Sequence, residues 1–228
     1  MHEGHRDRVK KRFRQEGLDH FSDIQALELL LFYGIPRVDT NPIAHALLDH
    51  FGSLSQVLEA SPEELMKVPG VGENAALLLT LIPQMGRFYM VDRSSGVTIL
   101  QTLEQCADFL VPHFFGRKVE TVFILCLDAK CKLLCCKELG EGGPNSTGVS
   151  IRKIVETAIG VNAATVVLAH NHPSGLAVPS AEDIQTTRRI AHALQAVEIT
   201  LADHIIVADG DYVSIAMSDD RFRDCLLI

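Results

Sequence analysis

The chain has 228 residues, 47% of them apolar, and a formal net charge of −8. That length allows one large or two smaller domains, each with a core of its own. No run approaches the roughly 18 consecutive apolar residues of a membrane span, and the charged N-terminus lacks the apolar stretch of a signal peptide, so a cytoplasmic protein is expected. The first ninety residues read as helical. Residues 23–32 carry Ile24, Leu27, Leu30 and Leu31 at helical spacing. Residues 42–51 form a second helix, with Asn41 as its cap and Pro42 in its first position. Ser61-Pro62-Glu63-Glu64 opens a third, because a capping Ser, an early Pro and a Glu at the third position satisfy the free N–H groups of a helix start. That helix runs to about residue 67. Val68-Pro69-Gly70-Val71-Gly72 breaks it, and residues 74–85 resume. The pattern fades through Asp92-Arg93-Ser94-Ser95-Gly96, a linker, before a helix over 102–113 that packs on the second domain. The expected domains are 1–92, all helical, and 103–228.

The second domain alternates in kind. Residues 120–127 are a buried strand, Asp128-Ala129-Lys130 turns it, and residues 131–138 return as its hairpin partner. Glu141-Gly142-Gly143-Pro144-Asn145 reads as a flexible loop. A helix over 151–162 carries Ile154, Val155, Ala158 and Ile159 on its apolar face. A strand over 164–169, a helix over 180–196, a strand over 200–207 and a last hairpin strand over 211–215 complete an α/β or α+β sandwich with a mixed sheet. The six cysteines, Cys106, Cys126, Cys131, Cys135, Cys136 and Cys225, contain no Cys-x-x-Cys pair. They read as reduced, mostly buried thiols. A zinc site from Cys131, Cys135 and Cys136 fits the usual ligand spacing poorly.

The chemistry concentrates in His170-Asn171-His172, with seven residues between His172 and Ser180 and ten between His172 and Asp183. Alternate residues of an extended strand project to one side, so His170 and His172 face the same way at the strand's end and Asn171 faces away as a structural residue. Pro173-Ser174-Gly175 then turns the chain, and Asp183 falls in the first turn of the next helix. Two imidazoles and a carboxylate are the three protein ligands of a catalytic zinc whose fourth position is open to water. Ser180-x-x-Asp183 is also a variant of the capping box, and capping alone would explain that pair without a metal.

Residues 119–214 resemble the RadC family, a bacterial branch of the JAMM (JAB1/MPN+) metalloprotease superfamily. The resemblance rests on His170-Asn171-His172-Pro173-Ser174-Gly175 and on Asp203-His204-Ile205-Ile206-Val207. The N-terminal third is similar to the helical domain that precedes the metal domain in such proteins. The resemblance implies an α/β fold, with a helix-hairpin-helix-like domain followed by a cytidine-deaminase-like layered JAMM/MPN-like α+β domain with a mixed sheet. It implies a zinc-dependent peptidase or isopeptidase in which His170, His172 and Asp183 hold Zn²⁺. Glu120 is the implied general base, and the Ser180 hydroxyl the implied stabiliser of the oxyanion. From the residues alone, Glu138, Glu141 and Glu156 remain alternatives to Glu120. Asp203 and His204 are candidates for supporting a ligating histidine, or for a buried pair bonded within the sheet. Where many relatives carry Arg-Glu at the start of the helix before the metal strand, this chain has Arg152-Lys153, and its 141–148 loop also differs.

Residues 65–76 resemble a helix-hairpin-helix, whose Gly-x-Gly turn lets backbone N–H groups approach a phosphate. The family's link with DNA repair suggests the same use. The charges oppose it: residues 1–90 hold nine Lys/Arg against twelve Asp/Glu, and Glu73 follows the second glycine. The run Arg6, Arg8, Lys10, Lys11, Arg12 and Arg14 is an alternative footprint or a solvated helix face. Three functions are therefore carried forward: a zinc peptidase acting on a peptide or protein, a DNA-binding accessory protein with a structural metal, and a nuclease using the same metal.

Overall fold

Helix-period apolar stripes and well-formed starts account for the first half of the chain. The computed structural model describes residues 4–94, 96, 99–142, 149–173 and 175–218, which divide into two compact units, Met1–Gly86 and Arg87–Ile228. In the first, α1 (His5–Glu16), α2 (Asp23–Gly34), α3 (Asn41–Phe51), α4 (Leu54–Glu59) and α5 (Pro62–Leu65) precede α6 (Glu73–Ser94), which begins there and continues past Gly86. Capping boxes open α2, with Ser22 and Gln25, and α5, with Ser61 and Glu64. Leu27, Leu31, Leu47, Leu65 and Leu79 are fully buried in this unit's core.

Three sequence expectations change here. The residue before α3 is Thr40 and Asn41 is its first residue; the Asn41 N–H is taken by the Asp39 carboxylate instead. Helix α4 has no counterpart among the expected elements, since six residues are too short to display a period. Asp92, Arg93 and Ser94, expected as linker, are helical, while Ser95 lies outside the described residues.

The second unit holds α7 (Leu103–Leu110), β1 (Thr121–Leu127), β2 (Leu133–Glu141), α8 (Ile151–Gly160), β3 (Thr165–Asn171), α9 (Ala181–Gln195), β4 (Thr200–Ala208), β5 (Asp211–Ser214) and α10 (Ile215–Ser218). The helix expected over 102–113 is shorter: Thr102 caps α7, and Val111–Phe114 tightens into a 3₁₀ turn around Pro112. Cys131 adopts a positive φ in the hairpin turn, so β2 starts later than expected and runs to Glu141. Ile215 opens α10 rather than ending β5. The loop expected at Gly143–Asn145 and most of the 141–148 segment lie outside the described residues.

The five strands form one mixed sheet in the order β2-β1-β3-β4-β5. Strand β1 is antiparallel to β2 and β3, β3 is parallel to β4 through α9, and β4 is antiparallel to β5. Both faces are covered. Val122, Ile124, Val166, Leu168 and Ile206 pack with Ile154 of α8 and Ile190 and Leu194 of α9. Phe123, Leu125, Val167 and Ile205 pack on the other side with Phe109 and Leu110 of α7. This double coverage explains why β1 is buried along its whole length and reads as a continuous apolar run rather than an alternating one. Among the described residues, no helix is long and apolar enough to cross a membrane.

The described cysteines are free thiols. Cys106 and Cys126 are buried, whereas Cys131, Cys135 and Cys136 are only partly so, which corrects the expectation of mostly core thiols; Cys225 lies outside the described residues. Cys135 packs on the α9 side of the sheet and Cys136 on the α7 side, because consecutive strand residues alternate faces. They do not share a metal.

Candidate metal centre

Strand register assembles the centre from distant segments. Val122 of β1 lies opposite His170 of β3, and both side chains belong to the face covered by α9. Glu120, two residues before Val122, continues that face past the end of β1. His172, two residues beyond His170, keeps the extended path because its N–H donates to the Val207 carbonyl at 2.8 Å. The chain then turns, with the Gly175 N–H donating to the His172 carbonyl. Gly175 has φ +85°, a conformation that glycine adopts without strain, and a Cβ there would sit 2.9 Å from an Asp209 carboxylate oxygen. Pro179 and Ser180 lead into α9, whose first turn brings in Asp183.

Asn171 points to the opposite side of β3, as alternation requires, and it has a specific task. It is buried; its Oδ1 accepts from the Thr121 N–H at 2.8 Å and its Nδ2 donates to the Val119 carbonyl at 3.2 Å. The two residues flanking Glu120 are thereby tied to the strand that carries both histidines.

The distances suit a small cation. His170 Nε2 and His172 Nε2 are 3.0 Å apart. Asp183 Oδ1 lies 3.3 Å from His170 Nε2, and Asp183 Oδ2 3.5 Å from His172 Nε2. Tetrahedral zinc with bonds of about 2.0–2.1 Å sets its ligand atoms about 3.3–3.4 Å apart, so the three groups already stand at the required spacing. Glu120 Oε1 lies 3.6 Å from His170 Nε2. Glu120, His170 and His172 form a candidate metal group whose ligating atoms all lie within 4.8 Å of one another. Among the described residues, neither Glu138, Glu141 nor Glu156 joins such a group; Glu138 pairs with Arg117 and Glu156 with Arg152, each at 2.7 Å.

Ser180 caps α9. Its hydroxyl accepts from the Asp183 N–H at 3.1 Å and donates to Asp183 Oδ2 at 2.6 Å, and its own N–H reaches the same oxygen at 2.8 Å. The capping and metal readings of this pair are thus compatible, since the capping bonds orient the carboxylate. Burial opposes ionisation of Asp183, but a protonated His170 beside it and the bonds from Ser180 outweigh it and hold the carboxyl below the ordinary range.

The Asp203-His204 string divides. His204 is fully buried, with Nε2 2.8 Å from His170 Nδ1 and Nδ1 2.6 Å from the Thr187 hydroxyl. Asp203 does not support a ligating histidine: its Oδ1 accepts from the backbone N–H groups of His204 and Ala216, tying β4 to the start of α10. Sequence reasoning misses Thr187 altogether, and its only trace in the sequence is its place one helical turn after Asp183.

Residues 100–220 match the family described as the RadC-like JAB domain, and residues 3–77 match the family described as UPF0758 N-terminal. A UPF0758 protein from Fusobacterium nucleatum is 33% identical over 219 residues, which cover 93% of this chain and 94% of the relative. The chain belongs to the RadC family. The RadC-like segment contains Glu120, His170, His172, Asp183, Thr187 and His204. Its five-stranded mixed sheet is the JAB-like part of an α/β protein whose N-terminal region is helical. In this RadC protein, Arg152 is exposed and pairs with Glu156 within α8, whereas Lys153 Nζ donates to the Leu139 carbonyl and ties α8 to β2.

Proposed function

We propose that this RadC protein is a zinc-dependent peptidase or isopeptidase of the JAMM type, cleaving an amide bond of a peptide or protein. His170, His172 and Asp183 are the ligands in this reading. The carrying observation is their mutual spacing of 3.0–3.5 Å with a fourth oxygen, from Glu120, 3.6 Å away. Zinc bound there would lower the pKa of a coordinated water from about 16 to roughly 7 and polarise a substrate carbonyl. Glu120 is the general base: it is partly exposed, and Asn171 restrains the backbone on both sides of it. Its Oε1 takes the proton from the attacking water and delivers it to the leaving amine. Ser180 would reach an oxyanion only by exchanging its bond to Asp183, so its part in stabilising that charge is the more demanding assignment.

Elemental analysis of purified wild type and the Asp183→Ala variant tests the ligand set. About one zinc per chain, lost on substitution, is expected for a three-ligand site. A Glu120→Gln variant should keep its zinc and cleave none of the peptide or isopeptide substrates that wild type cleaves. Zinc loss in that variant would make Glu120 a ligand instead of a base. A wild-type protein that holds no divalent metal after zinc loading would defeat the hydrolase reading.

For the DNA-binding alternative, two prominent cations of α1 are already engaged. Arg6 donates to the Ile35 and Val38 carbonyls, and Arg12 to the His20 carbonyl. Salt-sensitive DNA binding that survives mutation of the metal site would favour that alternative, and cleavage of a phosphodiester in place of an amide would favour a nuclease. Free thiols on the described cysteines accord with a cytoplasmic protein.

A further inference from the structure

We infer that His204 and Thr187 are positioning residues that lock His170 in the tautomer able to bind a metal. The inference rests on the zinc-centre reading above and comes from counting protons around a closed ring. Thr187 Oγ1 lies 2.6 Å from the carbonyl oxygen of Asp183. A carbonyl only accepts, so the single hydroxyl hydrogen of Thr187 is spent there. The same Oγ1 lies 2.6 Å from His204 Nδ1. Having no hydrogen left to offer, it accepts, and His204 Nδ1 carries the proton.

The ring is fully buried between Thr187 and His170, and an unpaired charge there is costly, so it carries one ring proton and His204 Nε2 is left as a bare lone pair. It sits 2.8 Å from His170 Nδ1, so His170 must be the donor. A neutral His170 protonated on Nδ1 turns an unprotonated Nε2 toward His172 and Asp183. His172 arrives at the same state by a shorter route: its Nδ1 lies 3.1 Å from the Leu176 carbonyl and donates to it. Two bare imidazole nitrogens and a carboxylate then converge with no hydrogen to share, an arrangement that a cation resolves.

Asp183 supplies both ends of the ring. Its carboxylate faces the centre, while its own backbone carbonyl, through Thr187, begins the chain of bonds that orients the other ligand. One turn of α9, strand β4 and strand β3 are thereby coupled to a single tautomer.

The decisive comparison is Thr187→Val with Thr187→Ser, in the full chain. Valine keeps the branched shape and deletes the hydroxyl, freeing His204 to carry its proton on Nε2 and donate to His170 Nδ1. His170 would then be protonated on Nε2, the atom that must face the metal. In chelator-treated protein at about pH 8.5, two units above the ordinary imidazole value, long-range ¹H–¹⁵N spectra should show His170 protonated on Nδ1 in wild type and Thr187→Ser. Thr187→Val should show the Nε2 form and bind zinc about 10–100-fold more weakly in competition with a chromophoric chelator. The serine variant should recover most of that loss.

His170 protonated on Nε2 in metal-free wild type overturns the inference, and this measurement needs no variant to fold. Unchanged tautomer and affinity in Thr187→Val, or a serine variant as weak as the valine one, overturns it as well. Wild type that takes up no zinc while His170 carries its proton on Nδ1 upholds the ring and defeats the peptidase reading, so the two failures are distinct.

Discussion

Asp183 shows how one residue can be both a cap and a ligand candidate. The bonds that stop the start of α9 from fraying also fix the direction of its carboxylate and favour its ionised form. The direction of that shift sets the pH dependence. A carboxyl whose folded pKa lies below the unfolded value of about 3.9 adds stability above that value and loses it as pH falls through the folded one. In zinc-free protein, the urea midpoint of wild type should therefore exceed that of Asp183→Asn at neutral pH, with the difference narrowing below about pH 4. A difference that stays constant or widens on acidification would contradict the assignment. Asn171 carries the converse lesson. Its neighbours make it stand out in the sequence as part of a ligand motif, yet alternation alone turns it away, and its work is to hold the backbone around Glu120.

Among the elements, the turn between α5 and α6 and the β1–β2 hairpin yield separate predictions. Gly70 has φ +91°, and a Cβ on it would lie 2.8 Å from Ile43 Cδ1. Gly70→Ala should lower stability by about 1–3 kcal/mol, because a left-handed backbone and a tight contact are penalised together; a denaturant titration that finds no loss would show that the turn relaxes freely. In the hairpin, Cys126 is completely buried and its thiol pKa is pushed far up by that burial, while burial pushes Cys136 up to about 12. In α7, burial pushes Cys106 up to about 11. Thiolate, not thiol, is the nucleophile, so brief alkylation of the native protein near pH 7.5 should spare all three, as read by mass spectrometry. Rapid labelling of any of them would refute the packing described for the sheet faces. Elements with long periodic stripes are legible in the sequence. Helix α4 is too short to show one and is marked only by its Ser53 cap, which accepts from the Gln56 N–H, and the 3₁₀ turn after α7 reflects Pro112 and local packing that periodicity does not register.

At the scale of the whole molecule, we propose that residues 1–92 and 103–228 are the two domains. Limited proteolysis of the full chain should leave stable fragments ending near those positions. Persistent fragments cut inside either range would refute the division. If the metal centre is intact, zinc in hundredfold excess over its dissociation constant should stabilise the protein by about 2.7 kcal/mol through binding to the folded state alone. The midpoint shift with and without chelator measures it, and Asp183→Ala should abolish it.

The sequence by itself determined the parts whose logic is local: helices against strands, the shared face of His170 and His172, and the helix start that carries Ser180 and Asp183. Its resemblance to RadC proteins extended this to Glu120. Tertiary structure decided what local periodicity cannot express. The register of Val122 against His170 brings Glu120 to a histidine fifty residues away. The docking of α9 over β3 and β4 closes the ring from Asp183 through Thr187 and His204 to His170. Both depend on burying apolar faces of segments far apart in the chain, whose pairing is settled only when the whole sheet and its covering helices pack together.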